Sequence, residues 1–348
     1  LSAPSINNRL CGNTLSGLPE REGRLAEASP DTLLKDTLYG IAVTALLAAV
    51  AVSIPFIGLL CLLLLPQPVI FYRLKLGRRQ GLLIIGASLF LLLLLGGGPF
   101  ADAAFILGLL GLGFLMAECI ERGCPADITI GYACGAVLLA GFFAVAVYAG
   151  LSAAGIGDLM NDYVSGNLEA TLAIYEKSGM PEETIQVLKG SIEQIAGILV
   201  RMLPSLIAAG LLFTAWLNLL AARTVLGRWL GKHGDFGQLN RWQAPDWLVW
   251  GVIAGIAALL MPNRAFRLAG SNVMMVLIVI YFFQGIAVLS YYFEQKRFPL
   301  LLRGMIYALI AVQQLFLLIV AALGFFDVWA DFRRLSAPKS DTDGPSGQ

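Results

Sequence analysis

Thr37–Tyr72 reads TLYGIAVTALLAAVAVSIPFIGLLCLLLLPQPVIFY, 36 residues without an Asp, Glu, Lys or Arg. A bilayer core of about 30 Å takes roughly 20 apolar residues as helix, so this run holds more than one crossing. Pro55 divides it, because proline removes a backbone donor and clashes with the preceding turn. The reading is two helices, about 37–54 and 56–72. The same search, carried outward, gives a third span over Gln80–Ala101 that ends at Gly96-Gly97-Gly98-Pro99, and a short fourth over Ala103–Ala117. A fifth lies in Ile128–Gly157 and stops near Gly150. Met202–Arg223, Trp247–Asn263, Leu268–Phe293 and Gly304–Phe326 give the sixth to ninth.

The runs are continuous Leu, Ile, Ala and Val, not the alternation of a transmembrane barrel. Helices satisfy their backbone groups internally, as lipid demands. The expected fold is therefore all-α, a polytopic transmembrane bundle of about nine spans. The count falls to eight if the first run is one re-entrant hairpin. Composition agrees. The chain has 348 residues, 58% hydrophobic and 14% charged, against about 25% charged in a soluble domain. Its mean hydropathy is +0.77. A soluble enzyme, a disordered chain and a nucleic-acid binder are excluded. The net charge of +1 gives no electrostatic footprint for a polyanion.

Basic residues in short loops set the orientation. Arg73, Lys75, Arg78 and Arg79 follow span 2; Arg223, Arg228, Lys232 and Arg241 follow span 6; Lys296, Arg297 and Arg303 follow span 8. With nine spans all three loops are cytoplasmic, the N-terminus is inside and the C-terminus outside. The chain divides into a cytoplasmic tail (1–36), a first transmembrane half (37–157), an external acidic helical segment (158–193), a second half (194–330) and a disordered C-terminal tail (331–348). Residues 1–36 lack the basic-then-apolar order of a signal peptide. In the external segment, Pro181 suits a first helical turn, with Glu182 and Glu183 favourable at its positive end. One long helix is expected from there into span 6, kinked near Pro204. Leu159, Tyr163, Leu168, Leu172 and Tyr175 predict an amphipathic helix before it.

No motif announces chemistry. Gly227-Arg-Trp-Leu-Gly231-Lys232-His233 has its glycines one residue too close for a phosphate loop, and a His where Ser or Thr belongs. Gly108, Gly111 and Gly113 predict close helix packing. With one His and no Cys pair at CxxC spacing, no metal site, no cofactor and no catalytic dyad is expected, so the chain reads as a non-enzyme. Polar residues at membrane depth carry more information, because they are costly there. Arg201, Trp216 and Asn218 lie on span 6; Asn272, Tyr281 and Gln284 on span 8; Gln313 and Gln314 on span 9. The amides either line a cavity or cross-link helices, and for any single one the cross-link is favoured.

Taken in order, several stretches resemble the YybS-like family of uncharacterised bacterial membrane proteins. They are Leu65-Pro-Gln-Pro-Val-Ile-Phe-Tyr-Arg73 with its basic turn, Leu203-Pro204 with Asn218 and Arg223, Trp247-Leu-Val-Trp250, Gly270-Ser-Asn272, and Tyr281-Phe-Phe-Gln284-Gly285. The first half is also similar to the substrate-binding S components of energy-coupling-factor transporters. That resemblance implies a small ligand bound from outside and partner membrane and ATPase subunits. It also implies an Ala-x-x-x-Ala partner face, matched by Ala45 and Ala49. Two functions follow as expectations. One is a small-molecule capture subunit of the bacterial cytoplasmic membrane, its site lined by Arg201, Trp216, Asn218, Asn272, Tyr281 and Gln284. The other is a membrane scaffold for cell-envelope or division machinery, whose basic cytoplasmic loops, with Arg223, Arg228 and Lys232, dock soluble partners or anionic lipid head groups. Besides the bilayer itself, no nucleic acid partner is expected.

Overall fold

The computed structural model describes residues 30–94, 100–152, 155–229, 239–330 and 332–333. Among these the protein is helical throughout, with no strand. The elements are α1 (Pro30–Ser53), α2 (Pro55–Leu64), α3 (Pro66–Leu76), α4 (Arg78–Leu94), α5 (Phe100–Glu121), α6 (Ala126–Ser152), α7 (Ile156–Lys177) and α8 (Glu182–Trp229). A 3₁₀ turn at Leu239–Arg241 precedes α9 (Leu248–Leu260), α10 (Arg264–Gln295), α11 (Leu300–Val312) and α12 (Gln314–Ala330).

Proline punctuates the first uncharged run as its chemistry requires. Ile54 is extended, and Pro55 and Pro66 each open a helix, where a missing N–H costs nothing. Among the described residues six helical segments are long and apolar enough to cross a bilayer: Pro30–Ser53, Ile57–Leu76, Ala103–Glu121, Ala126–Ser152, Glu182–Val225 and Arg264–Gln295. A seventh is the pair α11 and α12, if it counts as one. The expected nine is not reached on length. The expected seventh span is a helix of 13 residues, about 20 Å at 1.5 Å per residue. The expected third is the 17-residue α4, and its Gly-rich end lies outside the described residues.

The expected ninth span is not one helix. α11 and α12 meet at 106° across Gln313, which is extended. No Pro or Gly marks that break. It follows from what α12 packs against. Tyr281 meets Phe325, Gln284 meets Asp327 and Tyr292 meets Phe332, so α12 runs parallel to α10. Their backbones touch: a Cβ on Gly285 would overlap the Val320 carbonyl, and one on Gly324 would overlap that of Tyr281. Such close approach at small residues is how helices associate where lipid removes the hydrophobic drive. The chain end thereby returns to the end of α10 that it left. A straight ninth span would have carried it to the opposite side.

Four helices organise the bundle. α3 and α5 centre the first half, with Leu65, Val69, Ile70, Leu110, Leu112 and Met116 in its core. α10 centres the second half and packs on α8, α9 and α12. α8 joins the two, touching α2, α3, α5, α6 and α10. It is one helix of 48 residues, about 72 Å long, and it passes through Pro204. α7 lies along it, bridged by Lys189 and Glu176 at 2.8 Å. On α6, Leu139, Phe142, Phe143 and Leu151 are exposed, as a lipid-facing surface requires.

Arg73 belongs to no loop. It sits in the last turn of α3, its side chain fully buried, and donates to Glu118 and Glu121 of α5. Arg78 and Arg122 reach the same Glu118 carboxylate at 3.2 and 2.8 Å. Lys75 ties the start of α1 to this end through Asp36 at 2.8 Å. Of the three glycines expected to pack closely, Gly113 does so, against Pro66; Gly111 faces open space.

Candidate functional site: a cleft with a basic rim

The described residues line an open cleft of about 790 Å³ where α8, α10, α11 and the 3₁₀ turn converge. Helical spacing places its walls. Trp216, Leu220 and Arg223 follow at i, i+4 and i+7 along α8. Phe283, Ala287, Ser290 and Glu294 make the matching stripe on α10, and Arg303 and Tyr307 the stripe on α11. The deep end is aromatic: Trp216 stacks on Phe283 at 5.2 Å and meets the edge of Trp242 at 4.5 Å. The rim carries Arg223, Arg241 and Arg303 against one acid, Glu294, which accepts from Asn240. Arg303 is also structural. Its Nε and Nη2 donate to the Phe298 and Phe293 carbonyls, each at 2.9 Å. They hold the turn in which Arg297 takes a φ of 52°.

Of the six residues expected to line an external site, only Trp216 reaches this cavity. Asn218 is fully buried and donates to the carbonyls of Leu63 on α2 and Thr214 on its own helix, at 2.7 and 2.8 Å. With its amide turned over, Gln67 of α3 donates to Asn218 as well. Asn272 donates to the Arg201 carbonyl at 3.1 Å and accepts from the Ser205 N–H at 3.3 Å. Arg201 itself is exposed. Gln284, fully buried, accepts from the Ala244 N–H and donates to Asp327. Tyr281 is buried edge-on to Phe325, its hydroxyl without a partner. The amides thus cross-link helices and do not converge on one pocket.

Among the residues expected to meet partners, Arg223 lines the cleft. The Arg228 side chain and all of Lys232 lie outside the described residues. Ala45 and Ala49 are half-buried, beside the stripe of Gly40, Thr44 and Ala48 that α1 turns inward. No group of three or more His, Cys, Asp or Glu side chains is placed for a metal among the described residues.

Sequence reasoning missed one buried network. Arg333 is 2% exposed and donates to the Asn240 and Trp242 carbonyls at 2.9 and 3.0 Å and to Asp327 at 2.6 Å. The tail expected to be disordered from 331 lies outside the described residues except at 332 and 333. Phe332 accepts from Tyr292 of α10, and Arg333 docks on the loop before α9, where the Asn240 and Trp242 carbonyls take its donors. Asp327 lies one residue beyond the uncharged run Gly304–Phe326, so a search for uncharged length passes over it.

Residues 42–328 match the family described as "Predicted membrane protein (DUF2232)". The match covers most of the chain, which therefore belongs to that family. No curated protein matches it. No solved structure matches it.

Proposed function

We propose that this member of a multi-pass membrane family is a rigid scaffold that presents its basic end to partners in the cytoplasm. One observation carries the reading: Asn218, Asn272 and Gln284 all spend their amides on neighbouring backbone and side chains. A capture site of the kind the S components have would leave such groups facing a cavity. Here they fix the angles between helices instead.

The topology that goes with this reading has eight crossings and a re-entrant pair. α4 and α9 cross as short spans, and α11 with α12 enters and returns. The basic ends of α3, α8 and α10 lie inside the bacterial cytoplasmic membrane by the positive-inside rule. Both described ends of the chain join them, through Asp36–Lys75 and through Arg333. α7 and the acidic start of α8 lie outside. Thiol labelling of Glu169→Cys and Phe332→Cys tests this map. Label reaching position 169 from outside and position 332 from inside supports it; label reaching both from one side refutes it.

The cavity favours a second reading, handling of a small molecule, because 790 Å³ is ample for one. In that case the YybS-like and S-component resemblance keeps a role, with entry moved to the basic face. Thermal shifts of the purified protein with vitamins and common metabolites separate the two. A scaffold is stabilised by none of them.

A further inference from the structure

We infer that the cleft between α8, α10 and α11 holds the phosphate head of an anionic membrane phospholipid. The inference deepens the scaffold reading and rests on it for the side of the membrane that the cleft faces. Three arginines from three separate elements line one opening: Arg223 on α8, Arg241 on the 3₁₀ turn and Arg303 on α11, whose Nε and Nη2 already serve the Phe298 and Phe293 carbonyls and which adds its charge. Arg223 and Arg241 are exposed. The one acid among the described lining residues, Glu294, already accepts from Asn240. The local charge therefore favours an anion, and the planar guanidinium fork suits phosphate oxygens.

Below the rim the surface changes character. Trp216, Leu220, Phe283 and Ile286 offer an apolar floor. A bare phosphate would leave most of the 790 Å³ unfilled and that floor wet. A lipid fills both parts, head at the arginines and glycerol and chain against the floor. One wall of the cleft is also exposed to lipid. α11 hangs from α10 by the 296–299 turn, and Leu301, Met305 and Leu309 on its outer side are exposed. Basic pockets between membrane helices at the cytoplasmic level bind lipid head groups by this combination.

The test uses the full chain purified in detergent, depleted of lipid, and titrated with phosphatidylglycerol, phosphatidylcholine or inorganic phosphate. Bound lipid is counted by native mass spectrometry, and stabilisation is read by thermal unfolding. The expected result is one retained phosphatidylglycerol, with phosphatidylcholine at least tenfold weaker, a minimum of roughly 1.4 kcal/mol. The pair Arg223→Ala and Arg241→Ala should weaken phosphatidylglycerol by roughly tenfold or more, at about the contribution of one surface charge each. Arg201→Ala, an exposed arginine away from the cleft, should leave it unchanged. Equal retention of the two lipids, or full retention by the double variant, overturns the site. Stabilisation by inorganic phosphate equal to that by phosphatidylglycerol assigns the cleft to a free anion and overturns the lipid. Labelling of Arg241→Cys reports the side of the membrane separately. Label from outside with lipid still bound refutes the scaffold's orientation alone; label from inside with no lipid bound refutes the lipid alone.

Discussion

Asn272 stands across from Ser205 and bonds to both ends of one turn in a helix that is not its own. Its carboxamide oxygen accepts from the Ser205 N–H at 3.3 Å, and its nitrogen donates to the Arg201 carbonyl at 3.1 Å. Ser205 and Arg201 are four apart, the donor and acceptor of one helical bond. Pro204 lies between them, and a proline ring crowds that turn. In lipid no water stands ready to solvate a disturbed pair, so a side chain from α10 does it.

A double-mutant cycle should show that coupling. Asn272→Leu is expected to cost about 1 kcal/mol of unfolding free energy in detergent. In a Pro204→Ala background, where the ladder closes by itself, the same change should cost markedly less. Equal costs in the two backgrounds would mean that Asn272 serves something other than the proline.

Arg73 should tolerate little. Arg73→Met takes the buried guanidinium away from Glu118 and Glu121 at the end of α5 and leaves Glu118 to Arg78 and Arg122. A loss of about 1.5–3 kcal/mol is expected, the worth of charge-assisted bonds. Glu118→Gln, which leaves Arg73 its bond to Glu121, should cost less. Chemical unfolding of the two variants checks the order.

The α10–α12 contact leaves no room for a methyl group. Gly285→Ala and Gly324→Ala both put a Cβ onto a carbonyl of the partner helix. Each should lower the unfolding temperature by several degrees, the consequence of about 1–3 kcal/mol of overpacking. Gly141→Ala, whose Cβ meets nothing within 4 Å, is the control and should move it little.

Arg333→Leu removes one partner of a buried pair, leaving the Asp327 carboxylate a neutral donor, Gln284, in place of a cation and taking the arginine's donors from two carbonyls. The expected cost is about 3–5 kcal/mol. It should be accompanied by faster thiol labelling of Phe332→Cys as the chain end lifts from α10. Asp327→Asn should be milder, because Arg333 keeps the Asn240 and Trp242 carbonyls. Labelling that stays slow in the Leu variant would show that α12 docks without the pair.

The helical membrane class could be read from Thr37–Tyr72 alone, because uncharged length is a direct consequence of bilayer thickness. Prolines 55 and 66 and the long helix after Pro181 follow equally local rules. What was not legible depended on pairs distant in sequence. The bend at Gln313 has no Pro or Gly to betray it, since it is set by Gly285 and Gly324 on two different helices. Arg73 looked like a loop charge because its partners, Glu118 and Glu121, come some 45 residues later. The cleft was hidden for the same reason: Arg223, Arg241 and Arg303 were counted as separate loop charges, and only folding brings them to one rim.

The length of α8 has a mechanical consequence. Its acidic start, held to α7, and its last turns, which wall the cleft at Trp216 and Arg223, belong to a single stiff rod. That rod is pinned near its middle, where Asn272 grips the Pro204 turn. The outer hairpin and the arginine rim are thus two stretches of one continuous element, joined through a body that packs on α2, α3, α5, α6 and α10.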